Sequence, residues 1–231
     1  PADVQTVNEM KQWLLQSKRT QAWDTPVNSV NAVYAFFDGN CESLGASKPM
    51  AVLKLNGQTL VMPKATAGMG YVKTAKTGEK QTDGTSWGAV YAQFVQPTAD
   101  VADAAKGISV VREVLKNGKR IATKGETLAV GDRIIVRIVI NADRDYDFVQ
   151  LADRRAACLG QLSGYRDGCY CEPKDNATNY YFDRLSKGKH VVETEYYVDR
   201  AGSYQTGTCT VQCAYSPEFG ARTKAVALSV E

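Results

Sequence analysis

The chain has 231 residues, 44% of them hydrophobic and 23% charged, a composition that excludes long disorder, collagen and coiled coil and allows one or two domains of roughly 150 residues. A net charge of +3, from 28 basic and 25 acidic residues spread along the chain, is too small for a phosphate-tracking surface and excludes nucleic acid as a partner. The most apolar run, residues 134–140, is broken by Arg137 and falls far short of the ~20 residues of a membrane span. No basic-then-apolar leader follows Pro1, so the expectation is either a mature form or an excised piece of a longer protein, the piece being favoured by the helices that follow.

Two helices come first. Val7, Met10 and Leu14 recur at helical spacing beside Trp13, predicting an amphipathic helix over residues 6–17. Thr25 caps a second helix, Pro26 suits its first turn, Val30, Val33 or Tyr34, and Phe37 form its apolar face, and Gly39 is placed to end it. Such an αα-hairpin buries too little apolar surface to stand alone. It is expected to be the last rung of a helical array or ring; the alternative is a helical pair packed on the sheet that follows.

From Ala51 the hydrophobic period changes to two. Residues 51–55 and 58–62 flank Asn56-Gly57, and residues 108–115 and 119–123 flank Asn117-Gly118, two hairpin signals because type I′ turns need positive φ at both central positions. Residues 133–140 alternate Ile134, Val136, Ile138 and Ile140 against the other face. Further strands are predicted over 86–95, 146–151, 179–182, 190–198, 207–215 and 221–230, a rhythm of about ten residues that means a β-sandwich. Residues 98–106, poor in large apolar side chains, are the expected linker between two β-units.

The residues that carry chemistry point away from catalysis. The single histidine, His190, opens a strand after the Lys187-Gly188 turn with no nucleophile near it in sequence, and reads as a strand residue. Six cysteines, Cys41, Cys158, Cys169, Cys171, Cys209 and Cys213, suit disulfides better than zinc, since only Cys209 and Cys213 have ligand-like spacing. Those two lie about 13 Å apart along a strand and cannot pair with each other, which leaves Cys158, Cys169 and Cys171 as partners and Cys41 as the odd thiol. Residues 143–147, Asp-Arg-Asp-Tyr-Asp, begin like a calcium loop but have Phe148 and Arg154 where Gly and Glu are required. The sequon at Asn176-Ala177-Thr178 carries no weight. Tyr180-Tyr181-Phe182 and Tyr196-Tyr197 suggest a sugar-stacking platform, but adjacent strand residues face opposite ways, so at most half of each cluster shares a surface. No catalytic, cofactor-binding or metal-ligating residue is assigned, and no cofactor is expected.

The C-terminal half has a more specific likeness. The run from Arg144 to Asp153, the segment Phe182-Asp183-Arg184-Leu185 with Lys187-Gly188 and the strand after it, Arg200-Ala201-Gly202-Ser203-Tyr204, and Ala214-Tyr215-Ser216-Pro217-Glu218-Phe219 resemble, in that order, the last macroglobulin-like domain of the bacterial alpha-2-macroglobulin family. Upstream, Trp23-Asp24-Thr25-Pro26 with Ala32-Val33-Tyr34-Ala35 is similar to the closing helices of that family's thioester-type helical ring. Residues Ser86 to Tyr91 are similar to the returning segment of its CUB-like sheet. The resemblance implies a mainly β fold, an immunoglobulin-like or macroglobulin-like sandwich preceded by a smaller sheet segment and an N-terminal αα-hairpin. Its domains would be residues 1–44 (last helices of the helical domain), 45–103 (CUB-like segment) and 104–231 (terminal sandwich). It implies a non-catalytic C-terminal portion of a broad-spectrum protease inhibitor of the bacterial periplasm or cell envelope, whose partners are target proteases and upstream domains and whose terminal domain shields the helical one. The Cys-x-x-Gln thioester motif is absent from these residues, and the cysteines around Cys169 and Cys209 depart from the family pattern. The competing reading is a carbohydrate- or protein-binding sandwich of a cell-envelope protein.

Overall fold

The computed structural model describes residues 3–37, 52–55, 57–59, 79–80, 93–121, 127–163 and 168–231. They fall into two compact units, one comprising Pro1–Leu15 and Trp23–Phe94, the other Gln16–Ala22 and Val95–Glu231.

In the first unit, α1 (Val4–Thr20), which runs on into the second, is followed by α2 (Pro26–Phe36). The predicted cap forms: the Thr25 Oγ1 accepts the Asn28 amide at 3.2 Å, and Pro26 takes the first turn, satisfying an amide the helix leaves unpaired. Helix α2 ends at Phe36, and the expected stop at Gly39 lies outside the described residues. The Lys11 ammonium sits 5.9 Å from the Phe36 ring centroid, while Met10, Trp13, Val27, Val30 and Tyr34 remain exposed. Strands β1 (Leu53–Leu55), β2 (Gln58–Thr59) and β3 (Glu79–Lys80) make a small sheet in the order β2-β1-β3, with Leu55 opposite Gln58 and Gly57 at φ +79°; Asn56 of the expected turn lies outside the described residues. The strand expected over 86–95 lies almost wholly outside the described residues.

The second unit carries, in chain order, a 3₁₀ turn (Thr98–Asp100), β4 (Ala104–Lys106), β5 (Ile108–Lys116), β6 (Lys119–Arg120), β7 (Thr127–Leu128), β8 (Arg133–Ala142), β9 (Tyr146–Arg154), β10 (Leu159–Ser163), β11 (Tyr170–Pro173), β12 (Ala177–Leu185), β13 (Gly188–Val198), β14 (Gly202–Gln205), β15 (Cys209–Cys213), β16 (Ser216–Thr223) and β17 (Ala227–Val230). A continuous hydrogen-bonded path runs β10-β13-β8-β5-β4-β16-β15-β9-β12-β11. Strand β4 joins its two layers, β10-β13-β8-β5 and β16-β15-β9-β12-β11; β14-β17-β7 forms a separate small sheet. The corner between β4 and β5 is Gly107, at φ +71°, where a Cβ would run into the Tyr146 hydroxyl. The Asn117-Gly118 turn has both residues at positive φ, +52° and +74°, the type I′ geometry its sequence demands.

Alternation builds the core. Ile134, Val136, Ile138, Ile140 and Ala142 of β8 are buried, as are Val192, Thr194, Tyr196 and Val198 of β13 facing the same way. From the other layer come Val149 and Leu151 of β9, Tyr180 and Phe182 of β12, and Val211 of β15, all within one apolar cluster. Tyrosine hydroxyls inside it are paired: Tyr180 with Thr194, and Tyr196 with Thr178 at 3.1 Å, as buried polar groups must be. Burial pushes the Tyr196 phenol up to about 12. A charge also crosses this core. Arg112 occupies an inward position of β5 and pairs with Asp153 of β9 at 2.8 Å, their side chains 3% and 4% exposed.

Where the structure differs from the sequence reading, the differences are local. The stretch expected over 221–230 is two strands, interrupted where Thr206 exchanges hydrogen bonds with Val226 (N to O, 2.9 Å; Oγ1 from the Val226 amide, 2.9 Å). Strands β4, β10, β11 and β14 lacked a readable alternation.

Candidate functional site

The last turn of α1 and the two residues after it, together residues 16–22, lie on the sandwich against the β15–β16 hairpin and the start of β9. A helix end leaves carbonyls without intrahelical partners. Here the Arg19 carbonyl accepts from the Ser216 hydroxyl at 2.9 Å and from the Cys213 thiol at 3.7 Å. Ser216 is fully buried, and it sits opposite Cys213 across a two-residue turn made by Ala214 and Tyr215. The Arg19 guanidinium grips Glu218 of β16 in a two-pronged pair, Nη1 to Oε1 at 2.8 Å and Nη2 to Oε2 at 3.0 Å. The Ala22 amide donates to the Asp147 carboxylate, and the Gln21 side chain reaches the Asp145 carbonyl at 3.4 Å.

Beside this seat stands an aromatic ledge. Phe148, at φ +58°, is 44% exposed and meets the ring of Tyr215, 68% exposed, edge to face at 5.3 Å between centroids. A bulky residue in the left-handed region is an outlier that its surroundings must hold in place. With Lys18, Arg19, Thr20, Gln21 and Ala22 the two rings line a cleft of about 440 Å³. The arrangement is a docking surface. Its charged groups are paired and Cys213, pushed up by burial, is a poor nucleophile.

Sequence motifs that looked separate meet here: the Arg144–Asp153 run supplies Asp147 and Phe148, and the Ala214–Phe219 run supplies Tyr215, Ser216 and Glu218. Arg19 and Cys213 as holders of the helix end were not foreseen, because nothing in helical or strand periodicity marks which residue will face an orphan carbonyl.

The other candidates are placed elsewhere. His190 Nε2 lies 2.7 Å from the Ser186 carbonyl and tethers the β13 turn. The carboxylates of the 143–147 run serve separate partners: Asp143 accepts from Tyr146 at 2.7 Å, and Asp145 from the Lys187 amide and Arg184, each at 2.7 Å. The Arg144 guanidinium, with Tyr146, holds Asp143 below the usual carboxylate range, and the Lys187 amide, with Arg184, does the same for Asp145. The disulfide expectation is corrected for Cys158, Cys209 and Cys213, which are buried free thiols inside the apolar cluster, filling core volume as small apolar side chains do. Cys41 lies outside the described residues. The aromatic runs divide as alternation requires: Tyr180, Phe182 and Tyr196 are core, while Tyr181 and Tyr197 face outward from opposite layers.

Residues 107–218 match the family model of the bacterial alpha-2-macroglobulin MG10 domain. A comparison with curated proteins finds no match. Among solved structures, the chain is similar to Salmonella alpha-2-macroglobulin reacted with methylamine at 15% identity, over 91% of this chain and 15% of that one, TM-score 0.53. It is also similar to the native conformation of Escherichia coli alpha-2-macroglobulin at 16% identity, over 59% and 10%, TM-score 0.53. A third likeness is to the E. coli protein activated by porcine elastase, at 18% identity, over 58% and 14%, TM-score 0.51. At these identities the likeness is one of fold, and this chain spans only 10 to 15% of the length of those proteins. The matched segment, just under half of the chain, is thus similar in sequence to the MG10 domain of bacterial alpha-2-macroglobulins, and the chain is similar in fold to those proteins.

Proposed function

We propose that the chain is the non-catalytic C-terminal portion of an alpha-2-macroglobulin-like inhibitor that entraps proteases of broad specificity in the bacterial periplasm or cell envelope. In this reading residues 1–44 close a thioester-type helical domain and 45–103 complete a CUB-like sheet. Residues 104–231 are the terminal sandwich, which packs on the helical domain and shields it. The match of residues 107–218 to the MG10 domain carries the proposal. The helix seat supports it: a partly solvated pair such as Arg19–Glu218, 43% and 25% exposed, contributes about 1 kcal/mol or less, so a contact of this kind is readily biased by a cut made elsewhere in a longer chain. Elastase activation of the similar E. coli protein fits proteases as targets.

The test uses the full natural protein incubated with elastase. Entrapment predicts that cleavage of a large protein substrate is lost while cleavage of a small chromogenic peptide persists, because only the small substrate diffuses into a cage. The Arg19→Ala, Glu218→Ala double variant should trap less of each protease added, having sprung in part beforehand. Unchanged cleavage of the large substrate overturns the proposal.

A further inference from the structure

The outward face of the second layer is a different surface. Register places one residue from each strand in a row across it: Tyr170 opposite Tyr181, Tyr181 opposite Gln150, Gln150 opposite Gln212, Gln212 opposite Gly220, and Gly220 opposite Lys106. The neighbouring rung points inward, with Tyr180, Leu151, Val211 and Ala221 all buried. At the β11 end Tyr170 is 67% exposed and its ring lies 6.0 Å from that of Tyr181, tilted by 31°, so the outer ring of the pair is largely in solvent. Glu172 fixes the platform, accepting from the Tyr181 hydroxyl at 3.1 Å while paired with Lys174 at 2.6 Å. In mid-row the Gln150 and Gln212 side-chain amides make no hydrogen bond to other described residues, so two donors and an acceptor on each are open. The far end falls into a shallow trough of about 270 Å³ floored by Gly220 and edged by Gln212 and Lys106.

We propose that this face binds an extended, neutral polysaccharide laid across the strands, independently of the inhibitor reading. Six strands at about 4.8 Å spacing make a strip of about 24 Å, the length of a short oligosaccharide. An open aromatic face stacks on the apolar face of a pyranose ring, and planar amides with both donors and acceptors match vicinal hydroxyls and acetamides. The row lacks the apolar centre of a protein interface. With Lys106 and Arg222 at the trough beside Glu218, and Lys174 paired with Glu172, it also lacks the unpaired charge that nucleic acid requires.

The test is calorimetric titration of the 231-residue chain with chitohexaose and with cellohexaose. Binding of at least one is expected. Tyr170→Ala should weaken it about tenfold, Gln150→Ala with Gln212→Ala should weaken it further, and Tyr170→Phe should keep it. Tyr197→Ala, on the opposite layer, should leave it unchanged. No heat with either sugar at millimolar concentration overturns the proposal, as does binding indifferent to Tyr170→Ala. A dimer in sedimentation that Tyr170→Ala dissolves also overturns it, by assigning the face to a second copy of the chain.

Discussion

Replacing Arg112 by methionine removes the cation from the middle of the sandwich while keeping most of the side chain's length. Its guanidinium makes five contacts: Asp153 Oδ1 at 2.8 Å, the carbonyls of Arg154 at 3.2 Å, Gly207 at 2.9 Å and Lys224 at 3.5 Å, and the Thr206 hydroxyl at 2.6 Å. With both side chains at 4% exposure or below, water cannot compensate Asp153, so the loss is that of a broken buried pair, about 3–5 kcal/mol. Burial already pushes the Asp153 carboxyl up, with Arg112 opposing; without Arg112 it takes up a proton more readily, and the deficit should shrink towards acid pH. The Arg112→Met, Asp153→Leu double variant should lose no more than either single variant, a coupling of about 2 kcal/mol or more. Urea unfolding of the whole chain at pH 7, followed by far-ultraviolet circular dichroism, measures these differences; Trp13, Trp23 and Trp87 all belong to the other unit, so tryptophan fluorescence reports elsewhere. A loss below about 1 kcal/mol for Arg112→Met, or strictly additive effects, would refute the reasoning.

Gly107→Ala should cost about 2–4 kcal/mol, combining a left-handed φ with a clash at Tyr146, and calorimetry should show a melting temperature lower by several degrees. At Phe148, valine should destabilise by about 1–2 kcal/mol relative to asparagine, which tolerates φ +58°, in parallel urea titrations. The Ala129 amide and Lys116 hold Asp132 below the usual carboxylate range, so its contribution is present above about pH 4 and lost as pH falls through the lowered folded value. Asp132→Asn should therefore be less stable than the parent at pH 7, with the gap closing towards pH 2.

What the sequence made legible followed from period and turn chemistry. The Thr25-Pro26 helix start, the Asn117-Gly118 hairpin and the alternation of β8 are local signals, and each appears in the structure. Arg112 was hidden because a charged residue in an alternating strand reads as solvent-facing, and only a partner from another strand, Asp153, permits it inside. Strand β4 was hidden for the converse reason: Ala104, Ala105 and Lys106 are held by pairing with β16 rather than by burial. The aromatic platform was half visible. Tyr181 was in a recognised run, but its neighbour Tyr170 arrives through register with β11, a non-local fact that no single segment encodes.

The helix seat was illegible for a related reason, which also explains how it is built. In β9 both Tyr146 and Val149 are buried, so two residues rather than one separate inward positions, and β12 makes the same step between Phe182 and Leu185, keeping Leu185 opposite Tyr146. Strict alternation back from Val149 would bury the Asp147 carboxylate and expose Tyr146. The irregularity at Phe148, taken in the left-handed region, instead turns Asp147 and Phe148 outward together at the rung where α1 ends. One then receives the Ala22 amide and the other the Tyr215 ring. Tyr146, turned inward, puts its hydroxyl on Asp143 beside the Gly107 corner. The strained residue, the docking surface and the corner joining the two layers are therefore one device, and a change that restored regular alternation in β9 would dismantle all three.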